Sequence, residues 1–217
     1  GTPIGRASAD FLNVNSAVYG QDGPAASGAE NFALQLSSAL GVDSGVRTTD
    51  GFKVFLFNDN GTIVGREATI AGDSGVASST GAVVLTVSIT ASTGEITVTQ
   101  YQALHHPTGG TSYDEPITLA DGSLQAVLTI TDGDGDTLSS TAVNIGDNIS
   151  FQDDGPSVAT VTVGSTLVSL DETVGGSDTP ADDYSTATAY GTPIGRASAD
   201  FLSVNSAVYG QDGPAAS

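Results

Sequence analysis

The sequence predicts an all-β protein, a Greek-key, immunoglobulin-like β-sandwich that is the repeat unit of a tandem array. Three observations predict it. Short apolar runs alternate with turns built from Gly, Asp and Asn, the spacing of antiparallel strands rather than helices. The composition is rich in Thr, Ser, Val, Ile and Gly and poor in Lys and Leu, which favours strands and turns. Residues 1–27 recur as residues 191–217, an offset of 190, and the two copies differ only at Asn13 against Ser203. A long period of this kind marks a repeat architecture, selected for reach or valency rather than for one active site.

The elements follow in order. Asn31 to Leu40 is short enough for a helix, but Phe32, Leu34 and Leu36 alternate and predict a strand. Phe52 to Phe57 is an apolar strand, Asn58-Asp59-Asn60-Gly61 turns it, and Thr62 to Gly65 returns as the second arm of a hairpin. Val83 to Ile89 reads as a buried strand, Ala91-Ser92-Thr93-Gly94 as its turn, and Glu95 to Tyr101 as an alternating partner. Leu124 to Ile130 and Leu138 to Ile145 flank the turn Asp132-Gly133-Asp134-Gly135-Asp136, and Val158 to Val163 alternates again. Gln152 to Pro156 reads as an acidic, Pro-ended linker. Gly175 to Asp183 reads as a long polar loop.

Charge narrows the partners. Lys and Arg number 5 against 25 Asp and Glu, a formal net charge of −20. Self-repulsion opposes the compact state of such a chain, so cations must screen or neutralise it. Nucleic acid and anionic lipid are poor partners for this surface, and no apolar run is long enough to enter a membrane directly. A solvated acidic surface suited to high salt is the plain alternative. Cysteine is absent, so a domain acting outside the cell must be held by its core or by metal rather than by disulfides.

The sharpest local motif is the Asp132-Asp134-Asp136 loop. Three carboxylates on alternate residues of a tight turn converge, and calcium takes several hard oxygen ligands in irregular geometry. The loop resembles the start of an EF-hand, but Val143 stands where that loop needs its bidentate Glu. An ordinary acidic hairpin turn explains the same residues. A second set pairs Asp153 and Asp154 of the linker with Asp171 and Glu172 beyond the next strand. Calcium bridging these residues would stiffen the joint between units. Asp59 and Asp114-Glu115 are weaker ligand candidates, since turn chemistry accounts for them. His105-His106 alone does not supply the three or four ligands zinc needs. No GxSxG, HExxH or phosphate-binding glycine loop occurs, and the expectation is a protein that is not an enzyme.

Beyond these motifs, the stretch Thr99 to Pro156 resembles the end of an extender repeat in giant type I-secreted RTX adhesins of Gram-negative bacteria. TQYQALHHP (Thr99–Pro107), Asp114-Glu115, TDGDGD (Thr131–Asp136) and DDGP (Asp153–Pro156) occur in the order those repeats show. LDETVG (Leu170–Gly175), GQDGP (Gly20–Pro24) and GVDSG (Gly41–Gly45) fit the same pattern. The resemblance implies Ca2+ at the acidic clusters and an extracellular, outer-membrane-anchored location. It implies a stalk that projects a distal ligand-binding region for cell attachment and biofilm formation. It also sets the frame: residues 1–156 are most of one repeat, and residues 157–217 open the next. Its partners would be adjacent repeats of the same chain, with self-association through strand completion as a further expectation. Two rivals stand beside it. A carbohydrate- or surface-binding sandwich module would need exposed aromatics, and the chain has no Trp and 6 Tyr. A calcium-dependent polysaccharide hydrolase or lyase fits poorly with tandem duplication.

Overall fold

The computed structural model describes residues 1–14, 17–107, 115–153, 155 and 165, and the backbone of two strands at 157–163 and 202–208. The chain divides into two compact units at the boundary between Gly155 and Pro156.

In the first unit the strands are β1 (Gly5–Ala9), β2 (Glu30–Gln35), β3 (Val42–Arg47), β4 (Phe52–Asp59), β5 (Thr62–Ala71), β6 (Val83–Ile89), β7 (Ile96–Gln100), β8 (Pro116–Thr118), β9 (Gln125–Thr131), β10 (Thr137–Ser139), β11 (Val143–Asn144) and β12 (Ser150–Gln152). One 3-10 turn, Gly146–Asn148, precedes β12. The first sheet is six-stranded, in the order β1-β7-β6-β5-β4-β3. β9 centres the second sheet, with β2 on one edge and β10 and β11 on the other. β8 and β12 pair separately. Every pairing is antiparallel.

The apolar alternation explains why the sheets stack. Val54 and Leu56 of β4, Ile63 of β5, Val84, Leu85 and Val87 of β6 and Ile96 of β7 meet Leu34 of β2 and Ala126 of β9 in one core. Leu104, Leu119, Leu124, Ile145, Ile149 and Phe151 complete it from the connections and β12. Two sheets sharing one buried layer make a β-sandwich, so the predicted all-β sandwich is the fold. Among the described residues no helix is long and apolar enough to cross a membrane.

Local chemistry fixes the hairpins. Asn60 and Gly61 both take positive φ, 51° and 91°, as a two-residue hairpin turn demands for strands of right-handed twist. The Gly61 N–H donates to Asn58 Oδ1 at 2.9 Å. The predicted strand over Leu138–Ile145 is instead two short pieces. Ser140 interrupts it: its N–H donates to the Leu128 carbonyl at 2.8 Å, and its Oγ accepts from the Leu128 N–H at 3.1 Å. The side chain thus substitutes for a ladder carbonyl, and the strand bulges. β1, β3, β8 and β12 carry weak signals. The residues of β1 are all exposed, and β3 spells VDSGVR, which reads as a turn. Its Ser44 is buried because Oγ donates to the Val54 carbonyl at 2.7 Å.

The second unit contains an antiparallel pair, β13 (Ser157–Val163) and β14 (Leu202–Val208). Its register sets Ser157 opposite Val208, Val161 opposite Val204 and Val163 opposite Leu202.

Candidate metal centre

β9 ends at Thr131 and β10 begins at Thr137, so residues 132–136 form the hairpin connection. Backbone bonds close it. The Asp132 N–H donates to the Asp136 carbonyl at 3.0 Å, and the Gly135 N–H to the Asp132 carbonyl at 3.2 Å. The Asp136 N–H donates to Asp132 Oδ1 at 2.8 Å. Asp136 therefore works mainly through its backbone, as the lock of the turn.

A second loop docks on this turn. Pro24 forms an isolated bridge with Asp132, and the Ala25 N–H donates to the Thr131 carbonyl at 3.0 Å. Tyr19, just before this loop, donates its hydroxyl to Glu30 Oε1 at 2.9 Å. Desolvation first, and then that bond, push the Tyr19 phenol above its ordinary value. The two loops meet at Gly133, where a Cβ would fall 2.5 Å from the Asp22 carbonyl oxygen. Only a residue without a side chain permits that approach.

The consequence is a carboxylate cluster that spans the two loops. Asp22, Asp132 and Asp134 each offer an oxygen within 4.8 Å of the others. Asp132 is half-buried, while Asp22 and Asp134 are exposed. The Asp132 carboxyl lies below its ordinary range. The hydrogen bond with Asp134 is the main cause. Desolvation opposes it, and the N–H groups of Asp136, Gly135 and Asp134 add to it. Such a donor set suits a hard divalent cation. Calcium takes six to eight oxygens, and Asp22, Asp132 and Asp134 would hold it, with carbonyls and water completing the shell.

No basic side chain among the described residues forms an ion pair with these carboxylates. Arg47 pairs with Asp73, Lys53 with Asp43 at 3.5 Å, and Arg66 donates to the Gly81 carbonyl at 3.0 Å. Like charges gathered without a basic partner repel, so a cation from solution is the available counter-charge.

The structure thus brings together Asp132 and Asp134 of the predicted set and adds Asp22. Asp136 is outside the cluster. Asp153 is half-buried just after β12, while Asp154, Asp171 and Glu172 lie outside the described residues. Asp114 also lies outside them, and the Glu115 carbonyl faces His106 Nδ1 at 3.0 Å. Asp22 is not among the ligands the sequence predicts, although it lies in the GQDGP stretch. Its sequence signal is an Asp between two glycines, Gly20 and Gly23, which the structure holds at positive φ.

Residues 2–146 match the profile of a family described as Domain of unknown function (DUF5801). No curated protein and no solved structure matches the chain.

Proposed function

The chain belongs to the DUF5801 family, and we propose that it is a calcium-stiffened structural repeat, an extender unit of a bacterial surface adhesin. The observation that carries this reading is the recurrence of 27 residues at an offset of 190. A sandwich repeated in line gives length, and length is what a stalk needs. The cross-loop cluster adds a device for stiffness: a cation shared by Asp22, Asp132 and Asp134 ties two loops remote in sequence. The motif order from Thr99 to Pro156 supports the adhesin context.

The work is mechanical. The chain would leave the cell unfolded, where calcium is scarce and its carboxylates repel. Outside, calcium would load sites with dissociation constants on the order of 10⁻⁴–10⁻³ M and stabilise the folded state by mass action. The partners are neighbouring repeats, and a distal region of the same protein would bind the target surface.

Calorimetry of the chain in EDTA, in millimolar calcium and in matched magnesium tests the proposal. A clear gain in melting temperature with calcium over magnesium is expected. Identical melting in all three conditions would refute calcium stiffening and leave the acid as solvated surface.

A further inference from the structure

The Asn60-Gly61 turn is a reactive dipeptide that the fold holds in check. It is the one Asn-Gly pair in the chain. In such a pair no side chain on the glycine hinders its nitrogen from reaching the Asn Cγ, and the backbone bends freely towards it. Attack forms the N–Cγ bond of a five-membered succinimide and breaks the Cγ–Nδ2 bond. The amide nitrogen leaves as ammonia, taking the proton that the Gly61 nitrogen gives up. Water then adds to either succinimide carbonyl and opens the ring. One opening gives Asp, and the other gives isoaspartate, in which the main chain runs through the side-chain carbon. Nothing is oxidised or reduced, and water is the co-reactant.

The fold places this pair in water. Asn58, Asp59, Asn60 and Gly61 are all exposed at the tip between β4 and β5, and no heavy atom lies within 4 Å of where a Cβ on Gly61 would sit. Asn60 is the one non-glycine residue at positive φ among the described residues, a conformation that L-residues other than Asn and Asp rarely adopt. Two hydrogen bonds restrain the groups that would react. The Gly61 N–H, which belongs to the attacking nitrogen, donates to Asn58 Oδ1 at 2.9 Å. Asn60 Nδ2, the leaving nitrogen, donates to Asp59 Oδ1 at 3.1 Å. The first bond engages the nitrogen that must lose its proton. The second fixes the amide that must turn towards it.

We propose that Asn60 is a spontaneous deamidation site and that Asn58 is its guard, holding the Gly61 nitrogen out of reaction while the hairpin is folded. The position matters to the sandwich. Isoaspartate at Asn60 lengthens the main chain within a two-residue turn, so the ladder loses its closed end, where Asp59 pairs with Thr62. The strands so joined supply Val54, Leu56 and Ile63 to the core. Either product also sets a new carboxylate beside Asp59 in a chain of net charge −20. The hairpin tip therefore limits how long a folded unit keeps its native covalent structure. The inference rests on the turn alone and is independent of calcium and of the adhesin reading.

The test incubates the full chain at mildly alkaline pH and follows Asn60 by peptide mapping and mass spectrometry, which reads the change from amide to acid and the isoaspartate product. Wild type, Asn58→Ala and Asn58→Asp are compared, with wild type in guanidinium chloride as the unguarded reference. Circular dichroism checks the fold of each variant. Conversion is expected to be fastest in the unfolded chain. Folded Asn58→Ala should convert about fivefold faster than wild type, the scale of one net hydrogen bond. Asn58→Asp keeps the acceptor oxygen and should stay close to wild type. Should Asn58→Ala misfold, the folded and unfolded wild-type rates still decide. Equal rates in folded wild type and folded Asn58→Ala, equal rates in folded and unfolded wild type, an Asn58→Asp rate matching Asn58→Ala, or no conversion in guanidinium chloride overturns the inference.

Discussion

Asp22→Asn separates a metal centre from an acidic turn. Asp22 comes from a different loop than Asp132 and Asp134, and all three carboxylates lie within 4.8 Å. The substitution keeps the shape of the side chain and removes its charge. At about 10 mM calcium and a dissociation constant on the order of 10⁻⁴–10⁻³ M, binding contributes about 1.4–2.7 kcal/mol of calcium-dependent stability. For a unit spanning Gly1–Gly155, that corresponds to about 3–10 °C in melting temperature. Asp22→Asn should remove that share of the calcium-dependent shift. In EDTA the same variant should melt slightly above wild type, because one of three crowded like charges is gone. Differential scanning calorimetry of both proteins, with and without calcium, reads the two effects together. An unchanged calcium shift in the variant would refute the cluster as a calcium centre, and destabilisation in EDTA would refute the repulsion argument.

Other outcomes follow from the same geometry. Gly133→Ala forces a Cβ to 2.5 Å from the Asp22 carbonyl, so it should part the loops and blunt the calcium shift seen in calorimetry. Leu85 is fully buried, and Leu85→Ala should cost about 2–5 kcal/mol through the cavity it leaves, measured by urea unfolding. Gly65→Ala places a methyl 2.7 Å from Leu85 Cγ; overpacking of that kind costs about 1–3 kcal/mol, and the same urea assay checks it. The folded Asp132 carboxyl lies below its ordinary value of 3.8. Its contribution to stability is therefore fully present above that pH and is lost as pH falls through the folded value. Asp132→Asn should flatten the metal-free stability profile below about pH 4, read from unfolding at stepped pH.

The docking of two loops at Gly133 bears on how such a unit would respond to load. Pulling Asp22 away from Asp132 would load both the Ala25–Thr131 hydrogen bond and any shared ion.

Much of the sandwich is legible in the sequence, because its hairpins are local. Val54 and Leu56 alternate into the core, Asn60-Gly61 can hold only a tight turn, and the partner strand follows within a few residues. The same holds for β6 with β7 and for β9 with β10. Asp132 and Asp134 stand two residues apart on one turn, so their convergence is also a local fact. The sequence alone thus determined the strand class, the central hairpins, the tandem period and two of the three carboxylates of the cluster. Tertiary structure decided the rest. It recruited Asp22 from a distant loop, broke the strand at Ser140 by a side-chain bond to Leu128, and made strands of GRASA and VDSGVR by giving them partners. Alternation and turn chemistry act between neighbours in the chain, whereas a β-strand or an ion site exists only when a remote segment supplies the other half of its bonds.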